Sequence, residues 1–148
     1  MHALECLSTD QIFSHVDPEG VHRHFNTSAM TRAVLTRKVV PYTTVCELNA
    51  DLIGHIERNH GIETHHLQSI TDQGMNTPIL LVNFVDGTSL LVDGNHRCVK
   101  RWQAGRKEVS AICFDPGQWE PYLVTDFDKI FTRAQVLDIL TNPQRERA

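Results

Sequence analysis

A single α/β domain of the α+β kind, with a small mixed sheet flanked by helices, is what this chain predicts, and three observations carry it. Pro78 to Val85 is a nearly continuous apolar run that meets a second, Thr88 to Val92, across Asp86-Gly87, a favoured two-residue hairpin turn. Directly behind it Gly94 opens a short helical pattern, closed by Gly105 and followed by a further strand-length run, Glu108 to Phe114. Upstream, Leu48, Leu52, Ile53 and Ile56 fall on one helical face.

Taken in order, residues 1 to 37 read as a helical extension. Ser8 and Thr9 can cap a turn through Ile12 and Phe13, Asp17-Pro18-Glu19-Gly20 is a turn or helix start, and Thr27 or Ser28 can start a helix over Ala29 to Thr36. The pair His22 and His24 is the one hint of chemistry there. From 38 to 148 the chain reads as the domain itself. Lys38 to Val45 is rich in β-branched residues and extended, with Pro41 marking an edge or a break. Asn49 caps the next helix and Gly61 stops it. A second helix runs from about His65 to Gln73 and ends at Gly74. After the strands and helix named above, Thr132 can cap a C-terminal helix from Arg133 to Leu140, stopped by Asn142-Pro143.

The 148 residues, 41% hydrophobic and 22% charged, suffice for one filled core. A net charge of −4 supplies no general basic field for a nucleic-acid backbone, so a nucleic-acid partner is not favoured. Lys100, Arg101, Arg106 and Lys107 are the one basic concentration: a solvated helix end, or a patch that steers a nucleotide or nucleic acid. Cys6, Cys46, Cys98 and Cys113 form no C-x-x-C pair and fit neither a zinc ribbon nor a disulfide framework. No apolar run approaches a membrane span and no signal-peptide pattern opens the chain, so a cytoplasmic protein without a membrane partner is expected.

The stretch Asp93-Gly94-Asn95-His96-Arg97 is the most informative. A strand turning through Gly into a helix leaves backbone N–H groups without intrahelical acceptors, and the helix dipole adds positive potential. His96 and Arg97 fall in the first turn, and Arg grips phosphate with two parallel bonds. Gly94, Asn95, His96 and Arg97 are thus the expected phosphate-binding residues. Asp93 is out of place beside phosphate unless Mg²⁺, or a substrate hydroxyl whose proton it accepts, lies between; the plainer alternative is a helix cap.

The order helix, Gly74, Pro78-Ile79-Leu80-Leu81-Val82, Asp-Gly turn, strand, Asp93 to Arg97, helix, Gly105, strand to Phe114 resembles the ParB/sulfiredoxin superfamily over roughly residues 45 to 115. That resemblance implies a loop holding nucleotide phosphates. Asn95 stands where sulfiredoxins need cysteine, and Cys98 points elsewhere on the helix. Asn95 and His96 also replace the Glu and first Arg of the ParB loop, and no room remains for that family's helix-turn-helix. The loop is most similar to the free serine kinase branch, from which it differs only at Asn95.

Phosphoryl transfer is mostly positioning and charge neutralisation. The resemblance implies ATP or another NTP with Mg²⁺ held at Asp93, water or a small hydroxyl compound as acceptor, and a second carboxylate. Glu47, just before the helix capped by Asn49, is the best-placed candidate, against the alternative of a solvated glutamate; Glu57 and Glu63 are weaker. The expected catalytic pair is Asp93 and Glu47. Two other readings stay open: a DNA-acting ParB-like protein (a nuclease or a plasmid or phage accessory factor), and a non-catalytic interaction protein. Nine histidines are many, and His55, His60, His65 and His66 cluster, but no pair has a familiar zinc spacing on one helix. Trp102 and Phe114 read as core; Trp119 and Tyr122 pack, or stack on a base.

Overall fold

A computed structural model of the chain describes residues 9–124. Strands β1 (Ile12–Val16) and β2 (His22–Asn26) form an antiparallel hairpin and lead into α1 (Thr27–Leu35). Next come β3 (Tyr42–Glu47), α2 (Ala50–Asn59), α3 (Thr64–Ser69) and α4 (Asp72–Met75). Strand β4 (Ile79–Asn83), β5 (Ser89–Asp93), α5 (Asn95–Gln103), β6 (Glu108–Phe114) and α6 (Pro116–Trp119) follow, and a 3₁₀ turn spans Glu120–Tyr122. The second sheet has strand order β3-β6-β4-β5; β4 and β6 run parallel and the other two pairings are antiparallel. The mixed α+β class follows from the sequence as expected.

The N-terminal helical extension does not. Residues 12–26 form a hairpin turning at Asp17 to Gly20, where Asp17 Oδ1 accepts the N–H groups of Glu19 and Val21 and Gly20 has φ +86°. Phe13 pairs with Phe25 across the two strands, and both are fully buried. Burying that aromatic pair outweighs the caps at Ser8 and Thr9, and the polar His22-Arg23-His24 run hides the strand from inspection. Helix α1 forms about where expected, but Asn26 is its cap and accepts the Ala29 N–H.

Two smaller differences concern the middle of the chain. The helix expected over 65–73 breaks in two, because Ile70 and Thr71 are extended and Thr71 caps α4 through the Gly74 N–H. Strands β4 and β5 are joined by five residues, Phe84 to Thr88, rather than by Asp86-Gly87 alone; Asp86 Oδ1 accepts both the N–H and the hydroxyl of Thr88. Helix α2 has the expected Asn49 cap, and β3 is an edge strand. The predicted C-terminal helix at 133–140 lies outside the described residues.

The four-stranded sheet is covered on both faces. On one, Ile79, Val109, Ala111 and Cys113 pack with Ile53 and Ile56 of α2, Leu67 of α3 and Cys98 and Val99 of α5. On the other, Leu80, Val82, Val92 and Phe114 pack with Phe13, Phe25 and Met30. Leu123 bridges to Phe25 and the Val124 N–H donates to His24 O, so the end of the described chain closes over the hairpin. Residues 9–37 therefore share a core with the sheet instead of standing apart from it.

Candidate functional site

The site begins with a one-residue irregularity. Leu91 pairs with Leu81 but Asp93 pairs with Leu80, so Val92 is the extra residue of a β-bulge. Side chains alternate faces along a strand, and one extra residue reverses the alternation beyond it. Val92 and Asp93 consequently both serve the face covered by the hairpin and α1. Asp93, Leu80 and Ile112 lie side by side across β5, β4 and β6 and line one wall of a cavity of about 490 Å³. The opposing wall is α1, through Thr27, Ser28, Thr31, Arg32, Val34 and Leu35.

Three elements hold the polar end together. Gln11, between the first described residues and β1, accepts the Thr27 N–H at its carbonyl and donates its own N–H to Ser28 Oγ. Its side chain donates to Asp93 Oδ1 at 3.4 Å. Arg97 enters from α5, where it is 6% exposed; its Nη2 donates to Pro78 O at 3.2 Å and lies 3.5 Å from Asp93 Oδ2. Its Nε has no hydrogen-bond partner. The chain from Thr27 to Leu35 grades from hydroxyls to aliphatic groups, so the cavity has a polar end and an apolar end.

Gly94 makes the strand-to-helix turn at φ +116°, in the left-handed region that costs other residues strain. A Cβ there would also lie 2.8 Å from Ile79 Cβ, so the position demands glycine for space as well. Beyond it the expected phosphate loop divides. Arg97 faces the cavity. His96, 1% exposed, turns instead to α3, where its Nε2 accepts the Glu63 N–H at 3.3 Å and its ring stacks on His66 with centroids 3.9 Å apart. Asn95 is completely buried, and neither its amide nitrogen nor its carbonyl oxygen has a partner. The expectation that His96 and Arg97 act side by side on one phosphate is corrected by this packing: the two side chains leave the helix in different directions.

Glu47 does not join them. It ends the edge strand β3, opposite Glu108, and both β6 and β4 stand between it and β5. Three strand spacings separate them by on the order of 14 Å. Glu47 is exposed and absent from the cavity lining, which makes it a poor partner for Asp93. Glu57 is exposed on α2, and Glu63 serves His96 through its backbone.

Other expected features resolve as structure. Phe114 and Trp119 are core, with the Trp119 indole N–H donating to Asn83 O, and Tyr122 packs against them. Lys100 Nζ donates to Ile70 O, and Arg101 donates to Glu108 O and Met75 O at 2.7 and 3.0 Å. Two charges of the basic concentration thus pin the α3–α4 segment and β6 to α5. Cys98 is buried in the core. Among the described residues no group of three His, Cys, Asp or Glu side chains converges as a metal cage would. A lone cavity carboxylate such as Asp93 suits Mg²⁺ shared with phosphate oxygens, since that ion keeps waters and takes few protein ligands.

The residues that sequence reasoning missed are Gln11, Thr27, Ser28, Thr31 and Arg32. Their one signal was the spacing of Thr27, Ser28, Thr31 and Arg32, which puts four hydrogen-bonding side chains on one face of a helix. Among the described residues no helix is long and apolar enough to cross a membrane. Comparison with family models, curated proteins and solved structures finds no match for this chain.

Proposed function

We propose that the chain binds a nucleotide in the cavity between α1 and the start of α5, and transfers or hydrolyses its terminal phosphate with Mg²⁺. The observation that carries this reading is the meeting of Asp93 and Arg97 in one cavity with the hydroxyl-rich start of α1. A volume near 490 Å³ suits a ligand of nucleotide size. Arg97, the one residue of α5 in the cavity lining, offsets phosphate charge. Ser28, whose Oγ accepts the Gln11 N–H and keeps its own proton, supplies a hydroxyl donor to a phosphate or ribose oxygen, whereas the Thr27 and Thr31 hydroxyls donate to Gln11 O and Thr27 O; Val34, Leu35 and Ile112 offer the base an apolar surface. Mg²⁺, when bound, would be held by Asp93 and would offset charge on the phosphate oxygens. In its absence from a given step, Asp93 is also the group able to accept a proton from water or a small hydroxyl acceptor. A cytoplasmic setting, where nucleoside triphosphates are abundant, goes with this reading.

A DNA-acting function has less support, because Lys100 and Arg101 are committed to backbone carbonyls. The test is a melting-temperature screen with ATP, ADP, CTP and GTP, with and without Mg²⁺. A ligand at a hundred times its Kd adds about 2.7 kcal/mol to stability, so at least one nucleotide should raise the transition by several degrees. Silence from all four sinks the proposal, and product analysis on a nucleotide that binds separates an enzyme from a binder.

A further inference from the structure

We infer that the cavity holds its ligand between two arginines, Arg97 from α5 and Arg32 from α1, and therefore selects a chain of two or more phosphates over a single phosphate. This rests on the nucleotide reading above and names what part of the ligand the site measures. Arg32 lines the same cavity from the opposite wall.

Its guanidinium is fixed from behind. Asp10 Oδ1 lies 2.6 Å from Nη1 and Oδ2 lies 2.9 Å from Nη2, a bidentate pair. The Asp10 side chain is 2% exposed, whereas that of Arg32 is 43% exposed. Asn26, itself fully buried, donates its side-chain N–H to Asp10 Oδ2 at 2.9 Å while its Oδ1 caps α1. One asparagine thereby ties the orientation of the carboxylate to the start of the helix that carries the arginine. A carboxylate taken out of water in this way is a weak source of stability. What it achieves is presentation: an arginine already held in one rotamer loses little freedom when a ligand arrives.

The spacing sets the selectivity. Gln11 joins the start of α1 to Asp93, which places the Arg97 end of the cavity beside Thr27 and Ser28. Arg32 is four residues beyond Ser28, about 6 Å further along the helix axis. A single phosphate at Arg97 leaves Arg32 without it, whereas the next phosphate of a diphosphate reaches forward to Arg32. The two arginines are matched by Asp10 and Asp93, so selection comes from donor geometry and not from excess positive charge. Asp10 and Asn26 are positioning residues in this arrangement.

Titration calorimetry on the full chain tests it, with inorganic phosphate, pyrophosphate, a nucleoside monophosphate and the matching diphosphate. Pyrophosphate should bind about tenfold more tightly than phosphate, the worth of one further charge-assisted contact set. The diphosphate should beat the monophosphate by a similar factor; if pyrophosphate shows the preference and the nucleoside pair does not, a free polyphosphate is the ligand. The double variant Asp10→Asn/Arg32→Gln leaves no buried charge without a counter-charge, so it should fold, keep phosphate binding through Arg97 and lose the preference; Arg32→Lys should restore part of it. Equal binding of phosphate and pyrophosphate by the wild type overturns the inference even if no variant folds, and leaves the nucleotide reading standing. An undiminished preference in the double variant overturns it as well. Failure of every ligand to bind removes both.

Discussion

Asp93 lies opposite Leu80 in the sheet, one position out of regular register, because Val92 bulges from β5. Regular pairing would put Val92 opposite Leu80 and send Asp93 to the face occupied by α2, α3 and α5. The bulge brings the one loop carboxylate to the cavity instead, within 3.5 Å of Arg97. Bulges re-aim side chains in this way beside functional sites.

Asp93→Asn keeps the shape of the side chain but removes the charge that a metal would need. Stabilisation by nucleotide alone should persist in this variant, while the additional stabilisation given by Mg²⁺ should vanish. Melting curves with and without the ion measure both, and an unchanged Mg²⁺ increment would show that the ion binds elsewhere.

Gly94→Ala adds a Cβ at φ +116° and pushes it into Ile79. Backbone strain and overpacking together should cost about 3 kcal/mol, read as a lower urea midpoint at constant slope. A loss below about 1 kcal/mol would mean that Ile79 and the turn relax freely, against the close packing described for this position.

Asn95→Leu should go the other way. The amide is buried with neither polar atom hydrogen-bonded, and an apolar side chain of similar shape removes that desolvation cost. A gain of about 1–2 kcal/mol without ligand is expected, measured by denaturant titration. A loss of similar size would show that the amide makes a bond in solution.

Stability should fall on acidification because of the hairpin histidines. Burial lowers the pKa of His15, with Asp17 opposing it and Arg23 reinforcing it; burial, and then His22, lowers that of His24, whose Nδ1 meets Ser14 Oγ at 2.7 Å. A folded-state pKa below the ordinary 6.5 means the unfolded chain binds the proton more readily. Their contribution is complete above pH 6.5 and is lost as pH falls through that value towards the folded pKa. Melting temperature across that range should decline, and replacing both residues by Gln should flatten the decline. An identical slope in the double variant would assign the effect to other groups.

How much of this was legible depended on whether the signal was local. The β4–β5 pair, α5 and β6 announce themselves through apolar runs, Gly94 and Gly105, and the place of Arg97 in the first turn of α5 was readable from the same pattern. The hairpin was not, since Phe13 and Phe25 are twelve residues apart and only their pairing makes strands of Ile12–Val16 and His22–Asn26. The places of His96 and Glu47 were hidden for a similar reason: stacking on His66 and the strand order are long-range outcomes. The bulge is a single-residue register change with no composition of its own. Arg32 needed the partner Asp10, twenty-two residues away, to stand out from an ordinary helix-surface arginine.

The most direct measurement is an amide-shift map of the ¹⁵N-labelled chain titrated with Mg²⁺ and the nucleotide that raises its melting temperature most. Shifts should concentrate at Gln11, at Thr27 to Arg32 and from Asp93 to Arg97, the two walls of one cavity. Shifts confined to another surface, such as the groove beside Arg23 and Phe84, would contradict the account, as would a spectrum that nucleotide leaves unchanged.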